Sequence, residues 1–160
     1  MVNNMHRIFG IKEDFEYLDR EGAYLIPYYN NQVGVVKTPK GYFFLGGGLE
    51  SGESHLDCIK RECLEETGYL ACVDGKLCSA ESYIKHQTIG YFHPIQTYYF
   101  GKLLDKVATP IETDHILCWI EYKELNGKMF VEMQNWALEQ LSTIIFKETQ
   151  WNNLATNYYT

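Results

Sequence analysis

The sequence lacks a long apolar run. No window approaches the roughly 18 to 20 apolar residues that a membrane span needs, and the first 15 residues contain no apolar stretch of signal-peptide length. Low-complexity tracts and internal repeats are missing as well. We therefore expect a protein that does not enter a membrane and that works in the cytoplasm.

Positive charge is also scarce. Lys and Arg total 14 against 21 Asp and Glu, so the formal net charge is −7. A sequence-independent grip on the phosphates of a nucleic-acid polymer is therefore not expected. A small polyphosphate ligand would have to be held by a metal ion or by local basic groups.

Cysteines at zinc-binding spacing are absent. The five cysteines contain no C-x-x-C pair, and they are Cys58, Cys63, Cys72, Cys78 and Cys118. Free thiols in a reducing compartment are the expected state. Cys58 and Cys63 fall on the apolar side of a predicted helix, where a small hydrophobic side chain fits.

The length of 160 residues fits one domain with a hydrophobic core. No interior linker marks a second domain, so we expect a single domain over residues 1–147. Residues 148–160 are polar and aromatic without a clear period. We expect this tail to be loosely ordered or to dock through Trp151 and Leu154.

Hydrophobic periodicity predicts seven strands, interspersed with helices along the chain. Strands are predicted at Glu13–Leu18, Ala23–Tyr28, Val33–Val36, Tyr42–Leu45, Leu77–Ile84, Gln96–Leu103 and Ile116–Ile120. A loop is predicted over Lys85–Pro94, one turn of helix at Tyr122–Leu125, and a main helix over Met129–Phe146. This order favours the α/β (α+β) class, with a mixed β-sheet sandwiched between helices.

Another main helix is predicted from Ser54 to Thr67. Ser54 has the character of an N-cap, with Asp57 three residues on, and Gly68 that of a C-cap. Its predicted apolar stripe consists of Leu56, Ile59, Cys63 and Leu64.

Three carboxylates share the other face of this helix. Glu62, Glu65 and Glu66 lie within one and a half turns, and residues three or four apart are neighbours on a helix surface. Like charges at that spacing repel by roughly a few tenths of a kcal/mol per pair. A solvated acidic face is the simple alternative, but such a concentration of charge indicates a site for a divalent ion.

The segment Gly47 to Tyr69 resembles the Nudix box, in which a glycine, Glu, Arg-Glu, Glu-Glu and a second glycine recur at fixed spacing. These positions are filled here by Gly47, Glu53, Arg61, Glu62, Glu65, Glu66 and Gly68. Leu45 stands where many members have proline, Cys63 fills the inner apolar position and Tyr69 the closing one. These departures affect packing or turn positions rather than chemistry.

The resemblance implies a Nudix-like α/β/α sandwich and a MutT-like hydrolase. Such an enzyme cleaves a phosphoanhydride bond in a nucleoside diphosphate linked to another group, using Mg²⁺ or Mn²⁺ and a glutamate to activate water. The partner would be a small nucleotide whose identity and binding residues are not predicted, and a homodimer is compatible with related proteins. A catalytically silent nucleotide sensor on the same fold is the alternative, although a broken box would be its mark.

The resemblance also implies roles for single residues. The metal ligands would be Glu62, Glu65, Glu66, a backbone carbonyl near Gly46 and, further along the chain, Glu112. Arg61 would hold a box glutamate, with Glu53 as its partner, and both are assigned to catalysis with the three helix glutamates. The general base would be Glu62, with Glu112 as the alternative.

Weaker candidates lie outside the box. His115 lies three residues after Glu112, and His86 and His93 lie in the predicted loop as candidates for contact with phosphate. The aromatic residues Tyr83, Tyr91, Phe92, Tyr98 and Tyr99 include candidates for stacking on a base, although core packing explains most of them.

Overall fold

The computed structural model describes residues 4–157. Their strands are β1 (His6–Phe9), β2 (Leu18–Tyr29), β3 (Gln32–Thr38), β4 (Gly41–Phe43), β5 (Leu45–Gly48), β6 (Tyr69–Ser82), β7 (Ile84–His86), β8 (Gly90–Lys106) and β9 (Ile116–Glu121). The helices are α1 (His55–Thr67), α2 (Tyr122–Leu125) and α3 (Glu132–Asn157). The main path of the sheet is β1-β6-β8-β2-β3-β4, while β5, β7 and β9 pair with β2, β8 and β3.

Strand β2 lies at the centre of this mixed sheet. It runs parallel to β8 from Leu18 to Pro27 and antiparallel to β5. At its end it forms a hairpin with β3, through Asn30 and Asn31. Both asparagines have positive φ, a backbone region that asparagine adopts more readily than most residues.

Helices cover both faces of the sheet. Ala23 and Leu25 of β2 pack with α1, whereas Ile26 points to the opposite face and packs with α3. Successive strand residues face opposite sides, so one strand serves two cores. The predicted sandwich of a mixed sheet between helices is therefore confirmed.

The N-terminal strand differs from the prediction. Residues 13–17 are not a strand, and β1 instead pairs in parallel with β6. Phe15 stacks on Tyr91, with ring centroids 4.1 Å apart. The segment 13–17 therefore packs through the Phe15 side chain without being paired in the sheet.

The predicted loop over Lys85–Pro94 is also wrong. Strand β7 and the start of β8 form a hairpin there, with Ile84 opposite Phe92 and His86 opposite Gly90. Gly90 adopts a φ of +85°, which glycine tolerates without a steric penalty, and this lets the chain turn tightly from β7 into β8. The glycine therefore belongs to a hairpin turn and not to a long loop.

Helix α1 begins and ends as predicted. The Ser54 hydroxyl accepts a hydrogen bond from the Asp57 backbone N–H at 3.1 Å, and Gly68 closes the helix with a φ of +76°. The predicted apolar stripe is wrong at Leu56, which is 45% exposed. The buried face instead carries Cys58, Ile59 and Cys63, and Glu66 near its end.

Helix α3 begins at Glu132 and continues to Asn157, so it includes residues 148–157 of the predicted tail. The side chains of Trp151 and Leu154, predicted to dock, lie outside the described part of the chain, as do residues 158–160. None of the described helices has the length and hydropathy of a membrane span.

Candidate active site

Three parts of the chain meet at the C-terminal end of α1. The helix presents Glu62, Glu65 and Glu66, β5 presents its glycines, and the loop between β8 and β9 presents residues 112–115. The backbone N–H groups of Ile111 and Glu112 donate to the carbonyl oxygen of Glu65 at 2.8 and 3.2 Å. These bonds occupy a carbonyl that a helix end leaves free, and they fix the loop beside the glutamates.

Arg61 connects the carboxylates of the box. Its Nε and Nη2 donate to the two oxygens of Glu53 at 2.7 and 3.0 Å, which is a bidentate pair. Nη1 donates to Glu62 at 2.9 Å and more weakly to Glu65 at 3.4 Å. The hydrogen bond from Arg61 lowers the pKa of Glu53 to about 2, so Glu53 stays charged and anchors the guanidinium. The structure thus contains the predicted Arg61–Glu53 pair.

Glu66 is the most buried of the helix glutamates, with 4% of its surface exposed. Its Oε1 accepts a hydrogen bond from the Gly46 backbone N–H at 2.8 Å. Burial, followed by smaller effects of neighbours such as Glu62, raises the pKa of Glu66 to about 9. Burial also raises the pKa of Glu62, even though Arg61 opposes the shift. Both carboxyl groups therefore lie where negative charge is costly unless a cation compensates it.

The glycines of β5 allow the backbone to approach the helix. Gly46 has a φ of +147°, and a Cβ there would overlap the carbonyl oxygen of Ala23. A Cβ on Gly47 would overlap the carboxylate of Glu62. Gly46 therefore has no room for a side chain, and Gly47 has none while Glu62 keeps its orientation.

The acidic groups fit a divalent ion. Oxygens of Glu62, Glu65 and Glu112 lie within 4.8 Å of one another, and ligand atoms of Glu66, Glu112 and His115 do likewise. Clustered carboxylate oxygens are the hard ligands that Mg²⁺ prefers. The structure therefore places Glu112 beside the helix glutamates. It also places His115 there, a residue that the sequence offered only as a weaker candidate.

A cavity of about 360 Å³ opens beside these acids. It is lined by Tyr24, Thr38, Pro39, Lys40, Phe43, Phe44, Gly46, Glu66, Asp114 and His115. Its aromatic walls, single lysine and acidic end suit a small ligand that has both a planar part and phosphates. Sequence reasoning missed Tyr24 on β2, Phe43 on β4 and Lys40 in the turn between β3 and β4, because nothing in their local sequence marks them as site residues.

The other histidine and aromatic candidates lie elsewhere. His93 is buried between Asp19 and Glu81, at 2.8 and 3.3 Å, and Tyr83 stacks on it. The exposed ring of His86 contacts Thr88. Tyr98 is buried in the core. The described contacts of these side chains include none with the glutamates of α1.

Comparisons with known proteins match the chain to one family and to several solved structures. The model of a family described as NUDIX domain matches residues 19–141. A MutT NUDIX hydrolase from Burkholderia pseudomallei is similar in structure, with a TM-score of 0.64, 19% identity and coverage of 77% of this chain and 98% of that one. A NUDIX hydrolase from Nitrosomonas europaea has a TM-score of 0.63 and 17% identity, covering 79% of this chain and 90% of that one.

A third solved structure, a UDP-X diphosphatase, has a TM-score of 0.61 and 17% identity, covering 84% of this chain and 66% of that one. At such identities the likeness to these structures shows a shared fold. No curated protein matches the sequence.

Proposed function

The chain belongs to the NUDIX domain family of hydrolases, and from this we propose that it hydrolyses a phosphoanhydride bond in a nucleoside diphosphate linked to another group. The main observation that supports this proposal is the cluster of oxygens from Glu62, Glu65 and Glu112, which lie within 4.8 Å of one another. The adjoining aromatic cavity supports a nucleotide, and one structural relative is a UDP-X diphosphatase. We also propose that residues 1–147 form one domain. The cytoplasmic location and the homodimer remain predictions from the sequence.

We further propose that the cofactor is Mg²⁺ or Mn²⁺. Glu62, Glu65, Glu66, Glu112 and the carbonyl of Gly46 would hold it. When bound, such an ion neutralises charge on the diphosphate and makes water a stronger nucleophile at neutral pH.

Arg61 acts in this proposal as a positioning residue. Its bidentate pair with Glu53 holds the guanidinium, whose remaining N–H groups orient Glu62 and Glu65. Productive geometry has to be held within a fraction of an ångström, since small displacements of reacting groups cost rate. Arg61 and Glu53 therefore affect turnover through the glutamates rather than through substrate.

Glu62 is the general base that the electrostatics favour. Burial raises its pKa, and a base is most effective when its pKa approaches the working pH. A water molecule would add to phosphorus, its proton would pass to Glu62, and the bond from phosphorus to the bridging oxygen would break. The second phosphate leaves with the electron pair of that bond. Glu112, which is less buried, stays as the alternative base.

The test is a panel of nucleotides incubated with Mg²⁺, with Mn²⁺ and with EDTA, with products identified by mass spectrometry. We expect ion-dependent cleavage at a diphosphate, and we expect Glu65→Gln and Glu66→Gln each to remove most of it. Glu139→Gln, at an exposed acid on α3, is the matched control. Absence of cleavage of every substrate with either ion would overturn the proposal, and variants with wild-type rates would overturn the carboxylate roles.

A further inference from the structure

A smaller cavity, the Arg20 cavity, adjoins the one beside the acids. Its volume is about 160 Å³. It is lined by Arg20, Gly22, Tyr24, Gly48, Phe92, Pro94 and Gln96. Tyr24 lines both cavities, so the two are neighbours along β2. Burial raises the pKa of the Tyr24 hydroxyl, the charges of Glu66 and Glu62 raise it further, and Arg20 lowers it. Tyr24 is therefore close both to the acids and to a cation that the proposed mechanism does not use.

Strand β5 links Arg20 to the box. Gly48 leaves room for the guanidinium, since Nε and Cζ of Arg20 lie 2.6 and 2.7 Å from the place that a Cβ of residue 48 would occupy. The carbonyl oxygen of the same glycine accepts a hydrogen bond from Nη2 of Arg61 at 3.2 Å. Gly46, which donates to Glu66, lies two residues away on β5, or about 7 Å at the rise of a β-strand. One small substrate can therefore extend from the acids to Arg20.

Arg20 and Gln96 offer hydrogen-bond donors to this cavity. The exposed guanidinium of Arg20 has no hydrogen bond or ion pair with any residue that the structure describes, and an arginine side chain contains donors only. Gln96 is 9% exposed, and its Oε1 accepts the Tyr98 hydroxyl at 2.6 Å, so its amide N–H groups are left to donate. No described side-chain nitrogen is both fully buried and without a partner, so these N–H groups stay accessible. A group that accepts hydrogen bonds and carries negative charge is complementary to both side chains.

We propose that Arg20 binds an anionic group, a carboxylate or a phosphate, on the part of the substrate that is linked to the nucleoside diphosphate. A guanidinium presents its donors as a planar fork, which matches either anion with two parallel hydrogen bonds. Phe92 and Pro94 would contact the apolar part of the linked group. The inference rests on the proposed function and narrows its substrate class, because it makes an anionic linked group preferred over a neutral one.

Three uridine nucleotides test the preference. The linked group is a neutral sugar in UDP-glucose, a sugar with a carboxylate in UDP-glucuronate, and a phosphate in UTP. Titration calorimetry of the full-length protein in EDTA measures binding without the ion that the proposed hydrolysis needs. We expect UDP-glucuronate or UTP to bind about 10- to 100-fold more tightly than UDP-glucose, which is the contribution of a charge-assisted hydrogen bond.

Arg20→Gln should abolish this difference in affinity. The Arg20 side chain is exposed, so its replacement removes no core packing. Arg7→Gln, at an exposed arginine on β1 whose guanidinium lies over Phe9, is the matched control and should keep the preference. A preference for UDP-glucuronate alone would identify the anion as a carboxylate, and one for UTP alone would identify it as a phosphate.

Three results would overturn the role of Arg20. The first is equal affinity of the wild type for all three nucleotides, and the second is no binding of either anionic nucleotide at millimolar concentration. Neither depends on the folding of a variant. The third is a preference that persists in Arg20→Gln but is lost in Lys40→Gln, because the anion would then bind in the larger cavity.

The two proposals fail in different ways. Cleavage of nucleotides with Mg²⁺, combined with equal affinity for neutral and anionic linked groups, would remove the role of Arg20 and leave the hydrolase. An Arg20-dependent preference in binding, without cleavage of any nucleotide, would remove the proposed function and leave the anion-binding site. Affinity is measured without turnover, so neither result is inferred from the other.

Discussion

Replacing Glu66 with Gln should stabilise the metal-free protein. The side chain is 4% exposed, and burial raises its pKa from 4.5 to about 9. At pH 7 the folded protein therefore keeps this carboxyl group protonated, while the unfolded chain ionises it. Folding must take up a proton at that pH, and this uptake reduces the free energy of unfolding.

The size of the effect follows from the pKa values. A pH of 7 lies about 2.5 units above the unfolded value, and each unit corresponds to about 1.4 kcal/mol, so the cost is about 3 kcal/mol. Gln is not ionised, and its amide oxygen can still accept the Gly46 N–H. We expect Glu66→Gln to gain up to about 3 kcal/mol at pH 7, or roughly 6–12 °C in Tm for a chain of this size.

The sign of the pH dependence is specific to a carboxyl group with a raised pKa. Below about pH 4.5 the group is protonated in both states, so the cost is absent. It grows as the pH rises from about 4.5 and levels off above about 9, where the folded state ionises as well. The difference in stability between Glu66→Gln and wild type should therefore widen through this window.

Urea denaturation in EDTA from pH 4 to pH 9 measures the difference, with Glu139→Gln as a control that should follow the wild type. An ion that binds only the folded protein should then raise the Tm of the wild type and have less effect on Glu66→Gln. A variant equal to or less stable than wild type at pH 7, or a gap that does not grow with pH, would refute the reasoning about Glu66.

Two further substitutions test the geometry around the helix. Arg61→Lys should lower kcat by about tenfold or more, because an ammonium cannot make the bidentate contact with Glu53 and still orient Glu62; steady-state kinetics with Mg²⁺ checks this, and a change in KM alone would contradict it. Gly47→Ala should displace the Glu62 carboxylate and weaken Mn²⁺ binding measured by titration, so wild-type affinity in a folded variant would contradict the close approach of β5.

The elements predicted well were those with local causes. Helix α1 begins after Ser54 and ends at Gly68 because its caps are made by residues within the segment itself. Strand β1 and the β7–β8 hairpin were missed because their pairing partners lie elsewhere in the chain or across a turn. Strand propensity depends on those partners more than on the segment's own residues.

The sequence by itself determined which carboxylates share a face of α1, because helical spacing places Glu62, Glu65 and Glu66 together wherever the helix lies. It did not determine that Glu66 is buried against the Gly46 backbone, since that contact needs β5 beside the helix. Nor did it determine that Glu112 and His115 join the acids. Their position depends on two hydrogen bonds from the distant 111–112 backbone to the carbonyl of Glu65, a partner that only the folded chain brings within reach.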